Sequence, residues 1–363
     1  MSLVRRYASK LGTAALLVCA VALSLAAAEV AVRHLRPQFI MGPDPIRNPF
    51  WRHDKELGWS HTAGSEGTFS REEFTHPVKI NSAGWRDRER TTRKPPRTFR
   101  IAVLGDSFTW GHGVGDEMVF TRVMEKSLEG VEVLNFGLSA SATDQQLLIL
   151  RGQVLEYSPD LVLVMLTRND FNGIMQTSEG SYPKPIYLMG EDGRLELTNV
   201  PVPEVSRLAR AHYGLRRKSA LVNLAESTWE AGREIDSRAV AGRREAAYRL
   251  ICALLMRMRD ASERSGARFA IGLVPSNAHT YFDPIPAAEV RRFQVIKDFG
   301  QEDGVAVLDL VPAFRQAARD PVTGSRIDLH YRQDQHWNEA GHRLAAQELV
   351  RLIDLAGLLV LRS

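Results

Sequence analysis

The chain has 363 residues, of which 44% are hydrophobic and 25% are charged, a composition typical of a globular protein with one large domain and an appendage, or with two domains. Three of its positive charges lie near the N-terminus, at Arg5, Arg6 and Lys10, so the rest of the chain is nearly neutral and no nucleic-acid partner is predicted. Its two cysteines, Cys19 in an apolar leader and Cys252 on a later predicted helix, imply neither a disulfide framework nor a thiolate metal site.

An apolar, uncharged run follows the basic residues and covers residues 11–28. It is close to the shortest length that spans a bilayer and longer than the core of most signal peptides. We therefore predict that residues 1–34 form an uncleaved signal anchor, which makes the protein a single-pass cell-membrane protein with its main domain in the periplasm. The alternative is a signal peptide cleaved near Ala26-Ala27-Ala28, which would make the protein secreted.

The next two segments differ in composition. Residues 35–49 are predicted to be a linker, because four prolines block regular structure. Residues 50–99 contain short alternating runs separated by glycines, which predicts a small β-rich subdomain, or collar. Its tryptophans, Trp51, Trp59 and Trp85, are expected to form the core of the collar, and a carbohydrate-stacking surface is the alternative.

From residue 98 onward, apolar runs alternate with helical patterns, which predicts a parallel sheet covered by helices on both faces within a domain of residues 100–363. The predicted strands are 100–104, 131–135, 160–166, 269–274 and 305–310, and the predicted helices are 118–128, 144–157, 243–265, 287–299 and 338–355. Residues 171–236 interrupt this alternation, and we expect an insertion there that is either a lid over the substrate or a surface decoration.

The first strand of the sheet ends at Gly105-Asp106-Ser107-Phe108. A strand that stops at this point puts the Ser107 hydroxyl at the carboxyl edge of the sheet, where open α/β folds place their chemistry. Ser107 is therefore a candidate nucleophile. The alternative is a simple turn, because glycine, aspartate and serine are the commonest turn residues.

A serine nucleophile needs a base within hydrogen-bond distance and a third group that orients the base. Asp334 and His336 lie just before the last predicted helix and are the first candidates for these roles. Asp328 and His330 have the same spacing and are the alternative pair. His342 falls within the predicted helix, where a surface or capping position is expected.

Acyl transfer also needs hydrogen-bond donors for the oxyanion. The backbone N–H groups of Ser107 and Gly137 and the side-chain amide of Asn169 all follow predicted strand ends, which a parallel sheet brings together. These three groups are the predicted oxyanion hole.

The residues together resemble the SGNH, or GDSL-like, hydrolases. In that family a serine, a glycine, an asparagine and a histidine stand on separate sequence blocks, which here are similar to Gly105-Asp106-Ser107-Phe108, Asn135-Phe136-Gly137, Asn169-Asp170 and Asp334-Gln335-His336. The resemblance implies a flavodoxin-like, three-layer α/β/α fold over residues 100–355, with no cofactor. Residues 54–90 and 105–114 also look like those of a membrane-anchored bacterial subgroup.

Two positions depart from the family pattern. Thr167 stands where a glycine usually precedes the block-three asparagine by two positions. One residue separates Asp334 from His336 where two are usual, and this spacing resembles the Asp-x-His-Trp of related polysaccharide O-acetyltransferases.

The function expected from the residues and the resemblance is that of an exported serine esterase or deacylase that acts on O-acyl esters, of cell-envelope glycans or of small molecules, through an acyl-enzyme on Ser107. One alternative is an O-acyltransferase that uses the same residues, with a possible membrane acyltransferase as partner. Another is a non-catalytic glycan-binding envelope protein. No metal is expected, although Asp328, His330, Asp334 and His336 are chemically able to hold one.

Overall fold

The computed structural model describes residues 2–36, 49–180, 182–216, 218–233 and 237–360. The chain divides into two compact units, one made of Met1–Asp44 and Ser206–Ala241 and the other of Pro45–Val205 and Gly242–Ser363. Most of the predicted linker, residues 37–48, lies outside the described residues. The predicted insertion contributes to both units.

The strands of the described residues all belong to the second unit. In chain order they are β1 Trp51–Asp54, β2 Gly58–His61, β3 Glu66–Ser70, β4 Thr75–Lys79, β5 Phe99–Gly105, β6 Val131–Gly137, β7 Leu161–Leu166, β8 Ser178–Glu179, β9 Tyr182–Pro183, β10 Ile186–Met189, β11 Leu195–Thr198, β12 Arg268–Leu273 and β13 Ala306–Asp309.

The α-helices connect these strands and form most of the first unit. In chain order they are α1 Ser2–Leu35, α2 Ser107–Trp110, α3 Phe120–Ser127, α4 Thr143–Gly152, α5 Arg168–Gly173, α6 Arg207–Arg216, α7 Ala220–Arg233, α8 Ser237–Arg264, α9 Asn277–Tyr281, α10 Ala287–Asp303, α11 Val311–Ala317 and α12 Glu339–Leu355. Two short 3₁₀ turns, Asp116–Met118 and Val154–Tyr157, flank α3 and α4.

The main sheet has the strand order β13-β12-β7-β5-β6, and all its pairs are parallel. Read from the other edge, this is the flavodoxin-like order in which the first strand lies between the second and the third. The predicted five-stranded parallel sheet with flanking helices is therefore confirmed. Strand order reverses direction next to β5, so the crevice beyond its carboxyl end is the topological switch point, where open α/β sheets bind ligands.

Burial explains why these segments are strands. Every residue of β5 and β7 is buried, as expected for parallel strands with helices on both faces. On one face, Ile101 and Val103 of β5 share an apolar core with Phe120 of α3 and Leu349 of α12. The predicted strand boundaries agree with the observed ones to within two residues. The predicted helix 144–157 is divided, because α4 ends at Gly152 and a 3₁₀ turn follows.

Residues 50–99 form two antiparallel hairpins, β1–β2 and β3–β4, followed by a segment without regular structure. Trp51, Trp59 and Trp85 are buried, with 7%, 5% and 5% of their surface exposed. Their rings are packed against the protein and not available as a carbohydrate-stacking surface.

The first unit contains a long apolar helix. Residues Gly12–Leu35 of α1 are long and apolar enough to cross a membrane, and large apolar side chains along them, such as Leu16 and Leu23, are exposed. The Glu29 carboxylate accepts hydrogen bonds from the Ser219 hydroxyl at 2.8 Å and from the backbone N–H groups of Ala220 and Leu221 at 2.8 and 3.0 Å. Glu29 therefore caps the first turn of α7.

Candidate functional site

Ser107 is the first residue of α2, and Asp106 alone separates it from the end of β5. Asp106 caps this short helix, since its Oδ1 accepts from the backbone N–H of Phe108 at 3.0 Å. Gly105 has no room for a side chain, because a Cβ there would lie 2.2 Å from Thr109 Oγ1. The tight turn from strand to helix leaves the Ser107 hydroxyl at the carboxyl edge of the sheet.

His336 lies 229 positions further along the chain and contacts this serine. Its Nε2 is 2.7 Å from Ser107 Oγ, and its Nδ1 is 2.6 Å from Asp334 Oδ1. Gln335 adopts a left-handed φ of 69°, which lets the chain turn back between the two residues. The one-residue spacing that departs from the family pattern is therefore compatible with a continuous Ser–His–Asp hydrogen-bonded chain.

The alternative pair of the same spacing does not reach Ser107. Asp328 forms ion pairs with Arg326 and Arg332, at 2.7 and 2.8 Å. His330 is 1% exposed, and its Nε2 lies 3.1 Å from the carbonyl oxygen of Pro275. These contacts give both residues a structural role.

His342 is not at the surface, and the expectation of a surface or capping position is wrong. It is fully buried, and its Nδ1 accepts from the backbone N–H of Phe120 at 3.3 Å. The hydrogen bond joins α12 to the start of α3. His342 is thus a core residue beneath the site.

A second imidazole lies against the pair. The His112 ring stacks on the His336 ring, with centroids 4.1 Å apart, and its Nε2 is 3.5 Å from Asp334 Oδ2. Burial lowers the pKa of His112 to about 3, so this ring is neutral at physiological pH. Burial by itself would raise the pKa of Asp334, but the contacts with His112 and His336 lower it well below its usual range, so Asp334 is ionised.

The groups predicted for the oxyanion hole have different surroundings. The backbone N–H of Gly137 donates to Asn135 Oδ1 at 2.9 Å, which counts against it as an oxyanion donor. Ala140, three residues later, has a left-handed φ of 64°, and within the described ranges its N–H donates to no protein group. The Asn169 amide donates to Asp106 Oδ2 at 3.3 Å and keeps a second N–H for another acceptor.

Thr167, which stands where the family usually has glycine, links the end of β7 to the end of β5 by hydrogen bonds. Its hydroxyl donates to Asp106 Oδ2 at 2.8 Å and accepts from the backbone N–H of Asn169 at 3.2 Å. Asp170 accepts from the Thr167 N–H at 2.8 Å. Burial, and then the charge of Asp106, raise the pKa of Asp170 to about 7. This buried network fixes Asn169 relative to Ser107.

A small cavity of about 190 Å³ opens beside Ala140 and Asn169. It is smaller than the about 300–1,000 Å³ typical of sites for drug-sized ligands. Its lining is mostly polar and comes from Ser141, Asn169, Asn172, Gln176, Glu179 and Lys184. The Lys184 ammonium already bonds to Asp144 and to the carbonyl oxygens of Gly173 and Pro185. Of the two charged side chains that line the cavity, Glu179 is therefore the one that could contact a ligand.

One group of side chains in the described ranges has the geometry to hold a metal ion. The ligand atoms of His112, Asp334 and His336 lie within 4.8 Å of one another. Asp328 and His330, which the sequence suggested as possible ligands, are not part of this group. Because His336 already bonds to Asp334 through Nδ1 and to Ser107 through Nε2, a metal ion bound here would break those hydrogen bonds.

Sequence reasoning missed several residues around the site. His112 lies five positions after Ser107, in the stretch that looks like the bacterial subgroup, so the sequence offered a signal for it. Ala140 offered none, because the left-handed conformation at an alanine is not a sequence pattern. Thr167 stood out in the sequence only as a departure from the family pattern.

Comparisons with known proteins show the family of the chain. Residues 103–344 match the model of the GDSL-like Lipase/Acylhydrolase family. None of the curated proteins matches the sequence.

Several solved structures match the chain at low sequence identity. A lipase/acylhydrolase from Enterococcus faecalis is 16% identical, with a TM-score of 0.41, over 73% of this chain and 100% of that chain. A member of the lipolytic protein G-D-S-L family from Veillonella parvula DSM 2008 is 13% identical, with a TM-score of 0.41, over 71% and 99%. A GDSL-like lipase from Bacteroides thetaiotaomicron VPI-5482 is 11% identical, with a TM-score of 0.40, over 74% and 93%.

Proposed function

Because the chain belongs to the GDSL-like lipase/acylhydrolase family and is therefore an ester hydrolase, we propose that Ser107 is its nucleophile, His336 its base and Asp334 the group that orients the base. The observation that carries this proposal is the unbroken chain of contacts, 2.7 Å from Ser107 Oγ to His336 Nε2 and 2.6 Å from His336 Nδ1 to Asp334 Oδ1. The ionised Asp334 holds the proton on Nδ1, so that Nε2 is free to accept one.

The reaction follows from these positions. Ser107 Oγ attacks the ester carbonyl carbon while His336 Nε2 takes the hydroxyl proton. The tetrahedral intermediate collapses, the bond to the alcohol oxygen breaks, and His336 gives its proton to the departing alcohol. A water molecule then attacks the acyl-enzyme with His336 again as base, which releases the acid and restores Ser107.

The proposed oxyanion donors are the backbone N–H groups of Ser107 and Ala140 and the side-chain amide of Asn169. Ala140 replaces Gly137 in this role, because the N–H of Gly137 already has Asn135 as its acceptor. Asp106 and Thr167 bind Asn169 and so hold its amide in place. Preorganised donors of this kind stabilise the charge that develops on the carbonyl oxygen.

We propose that the substrate is an O-acyl ester of a hydroxyl-rich molecule, such as an acylated glycan of the cell envelope. The cavity beside Asn169 supports this choice, because its small volume and polar lining suit a sugar unit or a short acyl group better than a long hydrocarbon chain. Incubation with acetylated sugars and with esters of long fatty acids tests the choice. Preference for the fatty esters would contradict it.

The same intermediate also serves an O-acyltransferase, in which a sugar hydroxyl replaces water. The feature that favours this second function is the Asp334-Gln335-His336-Trp337 sequence, which resembles that of polysaccharide O-acetyltransferases. Released acid and glycan-bound acyl groups, measured in one incubation with an added acceptor, separate the two functions. The non-catalytic alternative loses its support, because the tryptophans on which it depends are buried.

The apolar helix α1 supports an export signal or anchor that carries the rest of the chain across the cell membrane. We propose that it remains attached. The full-length protein should then stay in the membrane fraction after an alkaline wash, and either a soluble protein with an intact N-terminus or a protein cleaved near Ala28 would contradict this proposal.

The experiment that tests the nucleophile is Ser107→Ala. We expect turnover of a small acyl ester to fall by at least about 10³-fold, with the fold intact, since the Ser107 side chain contacts only His336 among the described residues by hydrogen bond. Circular dichroism and urea unfolding check the fold. Retained turnover would end the assignment.

A further inference from the structure

A side chain from the first part of the second unit binds the loop that carries Asp334. Three successive backbone N–H groups, those of Arg332, Gln333 and Asp334, donate to the Glu73 carboxylate at 2.9, 2.8 and 2.7 Å. Consecutive N–H groups that point at one anion form a concave anion site in the backbone, and hydrogen bonds to an ionised acceptor are stronger than neutral ones. Glu73 thus fixes the backbone up to the residue that orients His336.

Glu73 lies in the turn between β3 and β4. The next residue, Phe74, also packs close to the loop that Glu73 binds. The Phe74 ring is 4.9 Å from the Tyr331 ring and 5.5 Å from the His112 ring, between centroids. The Tyr331 hydroxyl donates to the carbonyl oxygen of Gly113 at 2.7 Å. The hairpin therefore contacts His112, which follows Ser107 in the chain, and Tyr331, which precedes Asp334.

The loop needs such support because of its own conformation. Gln335, between Asp334 and His336, has a φ of 69°. Side-chain-bearing residues disfavour this region, and they persist there only when their surroundings hold them. The three hydrogen bonds to Glu73 end at the residue directly before Gln335.

We propose that Glu73 is a positioning residue, which keeps Asp334 Oδ1 within hydrogen-bond distance of His336 Nδ1 by binding the backbone of residues 332–334. The β3–β4 hairpin then contributes to catalysis by holding Asp334 in position. The proposal rests on the proposed function for the roles of Asp334 and His336, while the Glu73 contact with the loop does not depend on it.

The test compares Glu73→Gln with Glu72→Gln in the full-length protein in detergent. The first substitution replaces one acceptor oxygen with an amide group that opposes the loop N–H groups, and the second makes the same change at the exposed preceding residue. We expect the rate at which a fluorophosphonate labels Ser107 to fall about 10- to 100-fold in Glu73→Gln. With an ester substrate, the fall should be in kcat, with KM within about twofold of its original value. Glu72→Gln should match the wild type.

Amide hydrogen exchange gives a readout that does not need activity. Exchange at residues 332–334 should accelerate in Glu73→Gln and stay unchanged in Glu72→Gln. Unchanged exchange in Glu73→Gln, or accelerated exchange with a wild-type labelling rate, would overturn the proposal. A wild-type protein whose Ser107 is not labelled would overturn the proposed function instead, and the exchange result would still decide whether Glu73 holds the loop.

A second pair of variants separates positioning from general stability. Glu73→Asp keeps the charge and should restore part of the lost labelling rate. In an Asp334→Ala background, Glu73→Gln should cause no further loss, because its effect passes through Asp334. A further loss of about tenfold in that background would contradict the proposal.

Discussion

Asp334 is the residue whose role can be separated most cleanly from that of a near neighbour. Its two carboxylate oxygens face His336 and His112, whereas Asp328, with the same spacing from a histidine, faces two arginines. The same substitution at the two positions therefore distinguishes a catalytic arrangement from a structural ion pair.

Asp334→Asn should lower kcat by about 10³- to 10⁴-fold, because an amide at this position presents an N–H to His336 and favours the wrong imidazole tautomer. A loss of this size is what the corresponding aspartate-to-asparagine change causes in serine proteases. Asp328→Asn should leave kcat within about threefold of the wild type, since the ion pairs that are lost are partly exposed and do not contact His336. The measurement is kcat with a small acyl ester, and a larger loss in Asp328→Asn would transfer the orienting role to the other pair.

At the level of elements, the site depends on how closely β6 approaches α2. A Cβ at Gly137 would lie 2.3 Å from the backbone nitrogen of Trp110 and 2.6 Å from the carbonyl carbon of Thr109. Both atoms belong to the helix that begins with Ser107. The glycine is therefore required for packing, although the sequence alone suggests an oxyanion donor.

Gly137→Ala should push α2 away from β6, destabilise the protein by about 1–3 kcal/mol and lower kcat by at least about tenfold. Gly152→Ala is the matched control, because nothing lies within 4 Å of a Cβ at that position of α4. The control should be neutral, or stabilising by up to about 1 kcal/mol. Urea unfolding and kcat check both effects, and wild-type values for Gly137→Ala would show that the two elements have more room than the structure indicates.

The elements that could be predicted are those with a strong periodic signal. β7 is apolar throughout and β5 is apolar except at Arg100, so the positions of these strands and their parallel pairing followed from the sequence. Because the strands were expected to end at one edge of the sheet, Ser107 could also be predicted to lie near the loop that carries His336. The helices α2 and α5 were missed, because four and six residues are too few to show a helical period, and single caps at Asp106 and Thr167 define them instead.

The finer parts of the site depend on contacts between distant residues, for which a single sequence has no local pattern. Glu73 and the loop at Asp334 are 261 positions apart. Gly137 attracts the oxyanion assignment because it is a glycine after a strand, yet Ala140 has the unusual backbone conformation. The sequence alone suggested a surface position for His342, because a single histidine in a helix does not indicate which face of the helix is buried.

At the scale of the molecule, five buried histidines affect how stability should respond to acid, and burial lowers the pKa of each, His279 included. Burial lowers the pKa of His61 and His330 to about 4, and of His112 and His342 to about 3. In the unfolded chain these groups take up protons as the pH falls through about 6.5, whereas the folded protein does not until the pH is much lower. The unfolded state therefore binds more protons between about pH 6.5 and 4, and stability falls as the pH falls through this window.

The urea midpoint of tryptophan fluorescence should accordingly decrease steadily from about pH 7.5 to about pH 5. Asp170, whose pKa is raised to about 7 by burial and by Asp106, acts in the opposite direction. Burial also raises the pKa of other buried carboxyl groups, those of Asp87, Asp106, Asp144 and Glu179. The histidines dominate the upper part of the interval, because in the unfolded chain they take up protons near pH 6.5, well above the range in which unfolded carboxylates do so. A midpoint that stays constant or rises over the same interval would contradict the neutral, buried state of these histidines.

The central claim is that the ester bond is broken through a covalent intermediate on Ser107. Mass spectrometry of the full-length protein, quenched in acid during turnover of a small acyl ester and then digested, tests it directly. We predict that the peptide containing Ser107 carries the acyl group, and that the group is absent from the same peptide of Ser107→Ala. Ester consumption with no acylated peptide at any time point, or with the acyl group on a different residue, would contradict the account.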